Sequence, residues 1–233
     1  MSSIAIITAR GGSKRIPRKN IKDFCGKPII NYSIEAALKS GLFDEVMVST
    51  DDEEIADIAR SAGANVPFMR SAETSTDTAT TADVLLEVFD NYEKMGRKFD
   101  IACCIYPTAP FVTADKLKDA MNLLTTSGAQ SIVPMSEFSY PPQRGLFINE
   151  DGYVKMLHPE YAQTRSQDLQ KLYHECGQFY IFKVEDFKVF KDTTMENSVP
   201  YIIDPVESQD IDNESDWILA ELKYKFLEEH RNK

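Results

Sequence analysis

The sequence has no apolar run of transmembrane length, no basic leader around Met1-Ser2-Ser3, no CxxC pair, and no internal repeat or low-complexity tract. The first two absences argue against a membrane span and a secretory signal. The third argues against a zinc site, and the four cysteines (Cys25, Cys103, Cys104, Cys176) read as reduced thiols of a cytoplasmic protein. Cys103 and Cys104 lie inside an apolar run, where a thiol packs as a small hydrophobe. Positive charge is also short. Lys and Arg number 26 against 37 Asp and Glu, a net charge of −11, so general nucleic-acid binding, which needs a basic surface for counterion release, is excluded. Neither phosphate-loop spacing, GxxxxGK followed by Ser or Thr, or GxGxxG, occurs at the first strand.

What is present suits one domain with a full core: 233 residues, 42% hydrophobic and 27% charged. Residues 3–9 are apolar and β-branched and read as a buried strand. That strand empties into Arg10-Gly11-Gly12-Ser13-Lys14-Arg15, then Ile16-Pro17-Arg18-Lys19-Asn20. Glycines admit close backbone approach, and the cations supply a field for several negative charges. The loop therefore reads as a polyphosphate cradle; a merely solvated basic loop has the same composition. In an open α/β sheet, ligands bind beyond the carboxyl ends of the strands, which is where this loop falls.

Downstream the pattern alternates. Pro28 is placed at the start of a helix ending at Gly41, and residues 46–50 form a strand. The acids Asp51 to Glu54 open a helix ending at Gly63, and Val66 to Met69 reads as a short third strand. A helix follows over 80–95, then a central parallel strand over 100–106, a helix over 114–126 and a strand over 131–135. Residues 178–182 and 200–203 are the last strands, and a helix carrying Trp217 closes the chain. This predicts an α/β fold with an open, doubly wound, mostly parallel sheet. Residues 136–176 break the alternation and read as a β-rich insertion within the single domain, with a hairpin around Asn149 to Gly152.

Three further groups carry chemistry. Asp210-Ile211-Asp212 points two carboxylates the same way if extended, a pair suited to Mg²⁺ shared with phosphate oxygens; Asp212 or Asn213 would equally cap a helix beginning near Glu214. The segment from Thr164 to Gln178 gathers Arg165, Gln167, Asp168, His174 and Gln178, with Arg165 able to pair a carboxylate bidentately and His174 able to donate a hydrogen bond or serve structurally. Arg70 and the Ser/Thr-rich run to Thr81 offer donors to a ligand's polar edge, or a loop with a helix cap.

The stretch Ile7 to Asn20 resembles the signature loop of the cytidylyltransferases that activate nine-carbon α-keto acid sugars, among them the acylneuraminate enzymes. Val48-Ser49-Thr50-Asp51, Asp77 to Thr81, Pro107-Thr108-Ala109-Pro110 and Ser208 to Asp212 agree in order and spacing, so the resemblance spans nearly the whole chain. It implies a Rossmann-like, GT-A-like nucleotidyltransferase fold and a reaction in which CTP and a sugar acid give CMP-sugar and pyrophosphate with Mg²⁺. It also implies a homodimer whose insertion arm reaches the partner's site. By resemblance, Arg10, Ser13, Lys14 and Lys19, with the Gly11 backbone, hold the triphosphate. Asn20, Arg70 and Thr81 surround the cytidine, and Asp210 and Asp212 bind the metal; Arg10 and Lys14 then serve catalysis with that pair.

Sialic acid enzymes of the family carry Gln where this chain has Tyr106, and Arg-Pro-Asn-Gly where it has Tyr173 to Gly177. Thr164 to Leu169, with Tyr173-His174, is similar to the branch that acts on pseudaminic acid. The expected sugar contacts are Tyr106, Arg165, Gln167, Asp168, His174 and Gln178. A sialic or legionaminic acid enzyme of the same type is the alternative, and after it a non-catalytic nucleotide-sugar-binding protein.

Overall fold

The protein is described from a computed structural model covering residues 1–231. In chain order the elements are β1 (Ser3–Thr8), β2 (Asp23–Phe24), β3 (Lys27–Pro28), α1 (Ile30–Ser40), β4 (Glu45–Ser49), α2 (Glu53–Ser61), α3 (Thr81–Lys94), β5 (Ile101–Ile105) and α4 (Ala114–Ser127). They continue as β6 (Ser131–Glu137), β7 (Leu146–Ile148), β8 (Val154–Met156), β9 (Tyr173–Glu175), β10 (Phe179–Lys183), α5 (Val184–Phe190), β11 (Ser198–Ile202) and α6 (Glu214–Arg231). The main sheet runs β11-β6-β10-β5-β1-β4, with β9 added on β6. β1 is parallel to β4 and β5, and β6 to β11, as the strand–helix alternation predicts. β10 runs against both of its neighbours, β5 and β6.

Side-chain alternation divides the core between the two faces of the sheet. Ala5, Ile7, Cys103 and Ile105 pack against α1, α2 and α4; Ile4, Ile6, Ala102 and Cys104 pack against α3 and α5. The adjacent cysteines thus point into opposite layers, and both are fully buried and free. The helix boundaries follow local chemistry. Asp52 caps α2 by accepting from the Ile55 N–H at 3.0 Å, Thr80 and Asp83 close a capping box on α3, and Gly41 ends α1 in the left-handed region.

Two local expectations fail for backbone reasons. Pro28 does not open a helix: Cys25 and Gly26 turn the chain with positive φ, Asp23 accepts from the Gly26 N–H, and Pro28 pairs with Asp23 in the β2–β3 hairpin, so α1 starts at Ile30. Val66 to Met69 forms no strand. Only an isolated bridge, Met47 to Asn65, precedes it, and Pro67 has no N–H with which to extend the ladder.

A third, smaller core sits outside the sheet. Ile16 from the basic loop and Ile211 from between the paired aspartates pack with Phe24, Trp217 and Ala220. Trp217 meets Phe24 edge-on at 5.5 Å. One apolar cluster therefore fixes the basic loop, the acidic pair and α6 relative to one another. Residues 136–176 contain the β7–β8 hairpin, which pairs only with itself.

Candidate active site

A cleft of about 600 Å³ opens beyond the carboxyl ends of β1, β4 and β5. Its walls bring together Arg10, Ser13, Lys14, Lys19, Asn20, Arg70, Thr81, Tyr106, Asp210 and Asp212, ten of the residues singled out in the sequence.

The basic loop is held in place by its own contacts. The Gly11 N–H donates to Asp51 Oδ1 at 2.9 Å, and a Cβ at Gly11 would lie 2.7 Å from Asp52 Oδ2, so only glycine lets the loop pass this close to the start of α2. Arg18 turns away from the cleft with φ of 56° and forks onto Asp52 at 2.5 and 2.9 Å, with Glu54 alongside. Asn20 is buried, and its Nδ2 donates to the Arg10 carbonyl at 2.8 Å, closing the loop on itself. Lys19 donates to the Ile211 carbonyl at 2.7 Å, and burial pulls its pKa down against the opposing pull of Asp212 and Asp210.

The other cations of the loop face anions across the cleft. Arg10 Nη1 reaches Asp77 Oδ1 at 2.8 Å and the Thr76 carbonyl at 3.1 Å, while Lys14 Nζ bonds the second oxygen of Asp77. Hydrogen bonds from Lys14 and Arg10 hold the Asp77 carboxyl below its ordinary range. Arg15 Nη2 meets Asp212 Oδ1 at 2.8 Å. Burial, and then the charge of Asp212, push the Asp210 carboxyl up. The competing reading of the acidic pair resolves in favour of Asn213: its Oδ1 accepts from Ser215 N and Asp216 N and caps α6, which leaves the Asp212 carboxylate facing Arg15.

The far wall is more neutral. Arg70 is buried, with Nε on Ser49 Oγ at 3.0 Å and Nη2 on the Ser49 carbonyl at 2.6 Å. Thr81 opens α3, and its Oγ1 lies 3.4 Å from Tyr106 Oη. Burial raises the Tyr106 pKa, so its hydroxyl stays protonated at neutral pH. Gly177 lies beside both Asp210 and Tyr106.

Six expected contacts lie elsewhere. Gly11 is not in the cleft wall, and its N–H is already taken by Asp51. Arg165, Gln167 and Asp168 sit on an exposed turn of the insertion, where Arg165 Nε pairs with Asp168 at 2.8 Å. His174 lies on β9, its Nδ1 2.8 Å from the Glu175 carbonyl and its ring 4.9 Å from that of Phe138. Gln178 is buried behind the cleft, with Nε2 donating to the Glu207 carbonyl at 2.8 Å and Oε1 without a hydrogen-bond partner. Sequence reasoning missed Asp77 as the bridge between Arg10 and Lys14 and Arg15 as the partner of Asp212, whereas Thr74 and Thr76, from the Ser/Thr-rich run it singled out, do line the wall. Asp77 stood within a recognisable stretch, but nothing local marks a partner some sixty residues away.

Comparisons with known proteins place the chain in a family. A cytidylyltransferase family profile matches residues 4–204. The pseudaminic acid cytidylyltransferase of Campylobacter jejuni is 41% identical over 230 residues, covering 97% of each chain. The CMP-N,N'-diacetyllegionaminic acid synthase of Legionella pneumophila is 33% identical over 224 residues, covering 95% of each. Among solved structures, CMP:2-keto-3-deoxy-manno-octonic acid synthetase complexed with CTP superposes with a TM-score of 0.69 at 17% identity, covering 98% of this chain and 100% of that one; at that identity the likeness is one of fold.

Proposed function

Because the chain belongs to the cytidylyltransferase family, we propose that it transfers CMP from CTP to the anomeric hydroxyl of pseudaminic acid, a nine-carbon α-keto acid sugar, and releases pyrophosphate. The observation that carries this reading is the facing of four loop cations (Arg10, Lys14, Arg15, Lys19) and two carboxylates (Asp210, Asp212) across one cleft at the strand ends. Arg10 and Lys14 already grip an anionic carboxylate in bridging fashion, which is the task a phosphate would set them.

Asp210 and Asp212 fit Mg²⁺. Both are hard oxygen donors on one short segment, and a cation bound there would offset the burial and the neighbouring Asp212 charge that raise Asp210. An ion held by this pair would take its remaining ligands from phosphate oxygens and water. Bound there, Mg²⁺ supplies positive charge to the triphosphate.

The protein's own part is positioning and charge neutralisation. Arg10, Ser13, Lys14 and Lys19 hold the triphosphate, and Asp77 yields its two cations to the incoming phosphates. Asn20, Arg70 and Thr81 line the cytidine end. The anomeric hydroxyl then attacks the α-phosphorus in line: the new P–O bond forms as the bond to pyrophosphate breaks, and the hydroxyl proton passes to solvent. Tyr106 lies on the sugar side.

The remaining sugar contacts, Arg165, Gln167, Asp168 and His174, are assigned to the cleft of a second copy. The insertion that bears them also holds the β7–β8 hairpin, which exposes Leu146, Phe147, Ile148 and Val154, an apolar surface suited to burial between protomers. Arg165 is the cation for the sugar carboxylate. The four free cysteines accord with a reducing cytoplasm.

The test is pyrophosphate release from CTP and Mg²⁺ with a panel of pseudaminic, legionaminic and N-acetylneuraminic acids. Release with pseudaminic acid at the highest kcat/KM is expected. Preference for another acid would reject the sugar, and no release with any acid or divalent metal would reject the activity.

A further inference from the structure

The segment that bears Asp210 and Asp212 is tied down from behind by side chains outside the cleft. Lys116 Nζ meets Glu207 Oε2 at 3.0 Å and the Phe111 carbonyl at 3.0 Å. Lys223 Nζ takes the carbonyls of Pro205 at 2.9 Å and Ser208 at 2.7 Å. Gln178 Nε2 takes the Glu207 carbonyl. Ahead of these ties, Ile211 is fully buried in the third core. The Asp212 and Asn213 N–H groups donate to Asp216 Oδ2 at 2.9 and 3.0 Å.

Lys116 is placed at a double disadvantage. Its side chain is only 11% exposed, and it lies in the first turn of α4, at the positive end of that helix. A buried ammonium persists only when paired and hydrogen-bonded. A Leu or Met of similar size would fill the space at lower cost, so the cation must be kept for what it holds. What it holds is Glu207, three residues before Asp210. Lys223 likewise spends its ammonium on two carbonyls of the same turn.

From this convergence we infer that Lys116 and Lys223 are positioning residues of the reaction: they fix the backbone of Pro205–Ser208 and thereby set where Asp210 and Asp212 present their carboxylates. Neither lysine lines the cleft. Gln178, expected from the sequence at the sugar, belongs to the same support through its Glu207 contact. The inference rests on the reading of Asp210 and Asp212 as the metal-holding pair, and it deepens that reading.

The test measures CTP binding by calorimetry on the full chain without sugar acid, in EDTA and in saturating Mg²⁺. The wild type binds CTP more tightly with Mg²⁺, and Asp212→Asn loses that gain. Lys116→Met and Lys223→Met are expected to keep the metal-free affinity while losing about tenfold of the Mg²⁺ gain, the usual scale for removing a partner that orients a metal ligand. Glu207→Gln should repeat the Lys116→Met result. Unchanged circular dichroism confirms that folded protein is being compared, and should Lys116→Met not fold, Lys223→Met decides. If the lysine variants keep the full Mg²⁺ gain while Asp212→Asn loses it, the inference is wrong and the metal assignment stands. If Asp212→Asn also keeps the gain, the metal assignment falls and the inference falls with it.

Discussion

At the phosphate end of the cleft, cations meet anions that come from far along the chain, Arg10 and Lys14 on Asp77 and Arg15 on Asp212, while behind it Arg18 meets Asp52. In residues 136–176 the polar contacts close on themselves: Arg165 pairs with Asp168 and Lys171 with Glu137, and His158 Nδ1 lies 3.2 Å from Glu160. The apolar residues differ in the same way. Ile16 and Ile211 are fully buried in a shared cluster, whereas Ile148, at the tip of the hairpin, is 73% exposed. One region is finished by the chain that builds it. The other has satisfied its charges locally and left its hydrophobic side chains for something else to cover. On the proposed function the difference separates two tasks: the triphosphate end would be assembled within a protomer, and the sugar end by two.

That contrast can be broken at either end. Asp212→Asn strikes the self-sufficient end hardest: turnover in the pyrophosphate assay should fall at least about 100-fold, with the fold intact, because a carboxylate facing the loop cations is replaced by a neutral amide. Near-wild-type turnover would remove the acidic pair from the reaction. At the other end, Phe147→Asp with Ile148→Asp should give a monomer by analytical ultracentrifugation at micromolar concentration and raise the KM for the sugar acid about tenfold or more, while CTP binding stays as it was. A dimer that persists, or a loss of CTP affinity instead, would erase the proposed division of labour.

Gly11→Ala sharpens the picture of the loop. Its Cβ would press on Asp52 at 2.7 Å, so the loop must shift away from α2. The expected result is a rise of roughly tenfold in the KM for CTP with the sugar KM unchanged, in line with the cost of about 1.4 kcal/mol for misplacing a binding element. The smallest effect concerns acid stability. Hydrogen bonding from Arg18 holds the Asp52 carboxyl below its ordinary value. The stabilisation it brings is complete above the unfolded value of about 4, and it fades as pH falls through the lower folded value. Arg18→Ala should therefore lower the urea midpoint by an amount equivalent to about 1 kcal/mol or less at pH 7 and by less at pH 3. An equal loss at both pH values would show that the guanidinium acts through packing alone.

The same contrast marks how far the sequence could be read. The strands and helices that flank the cleft were legible because each depends on neighbours in sequence: the Thr80–Asp83 box on α3, Gly41 after α1, Asn213 before α6. The loop from Arg10 to Asn20 announced its chemistry through composition. The Asp77 bridge, the Lys116–Glu207 pair and the cluster joining Ile16 to Ile211 were not legible, because each joins residues tens or hundreds of positions apart and follows from the way the sheet is wound. Pro28 and Pro67 misled for a local reason. Proline marks where regular hydrogen bonding ends, but it does not say whether a helix or a turn comes next. The insertion kept its contacts hidden because Leu146, Phe147, Ile148 and Val154 stay exposed among the described residues.

The reversal of β10 within an otherwise parallel run has a consequence for how such a molecule can change. In an all-parallel sheet, the residues leading into a strand lie on the edge away from the ligand. Because β10 runs the other way, its leading residues arrive at the ligand edge, where the Tyr106 N–H donates to the Gln178 carbonyl and Gly177 lies beside Asp210. The last residues of whatever chain is spliced between β6 and β10 are thus brought to the ligand edge at Gly177 and Gln178, while β1 and β5 keep their places. On the proposed function, the fold then works as a socket, in which one contiguous stretch can be exchanged with the nucleotide-handling wall left as it is.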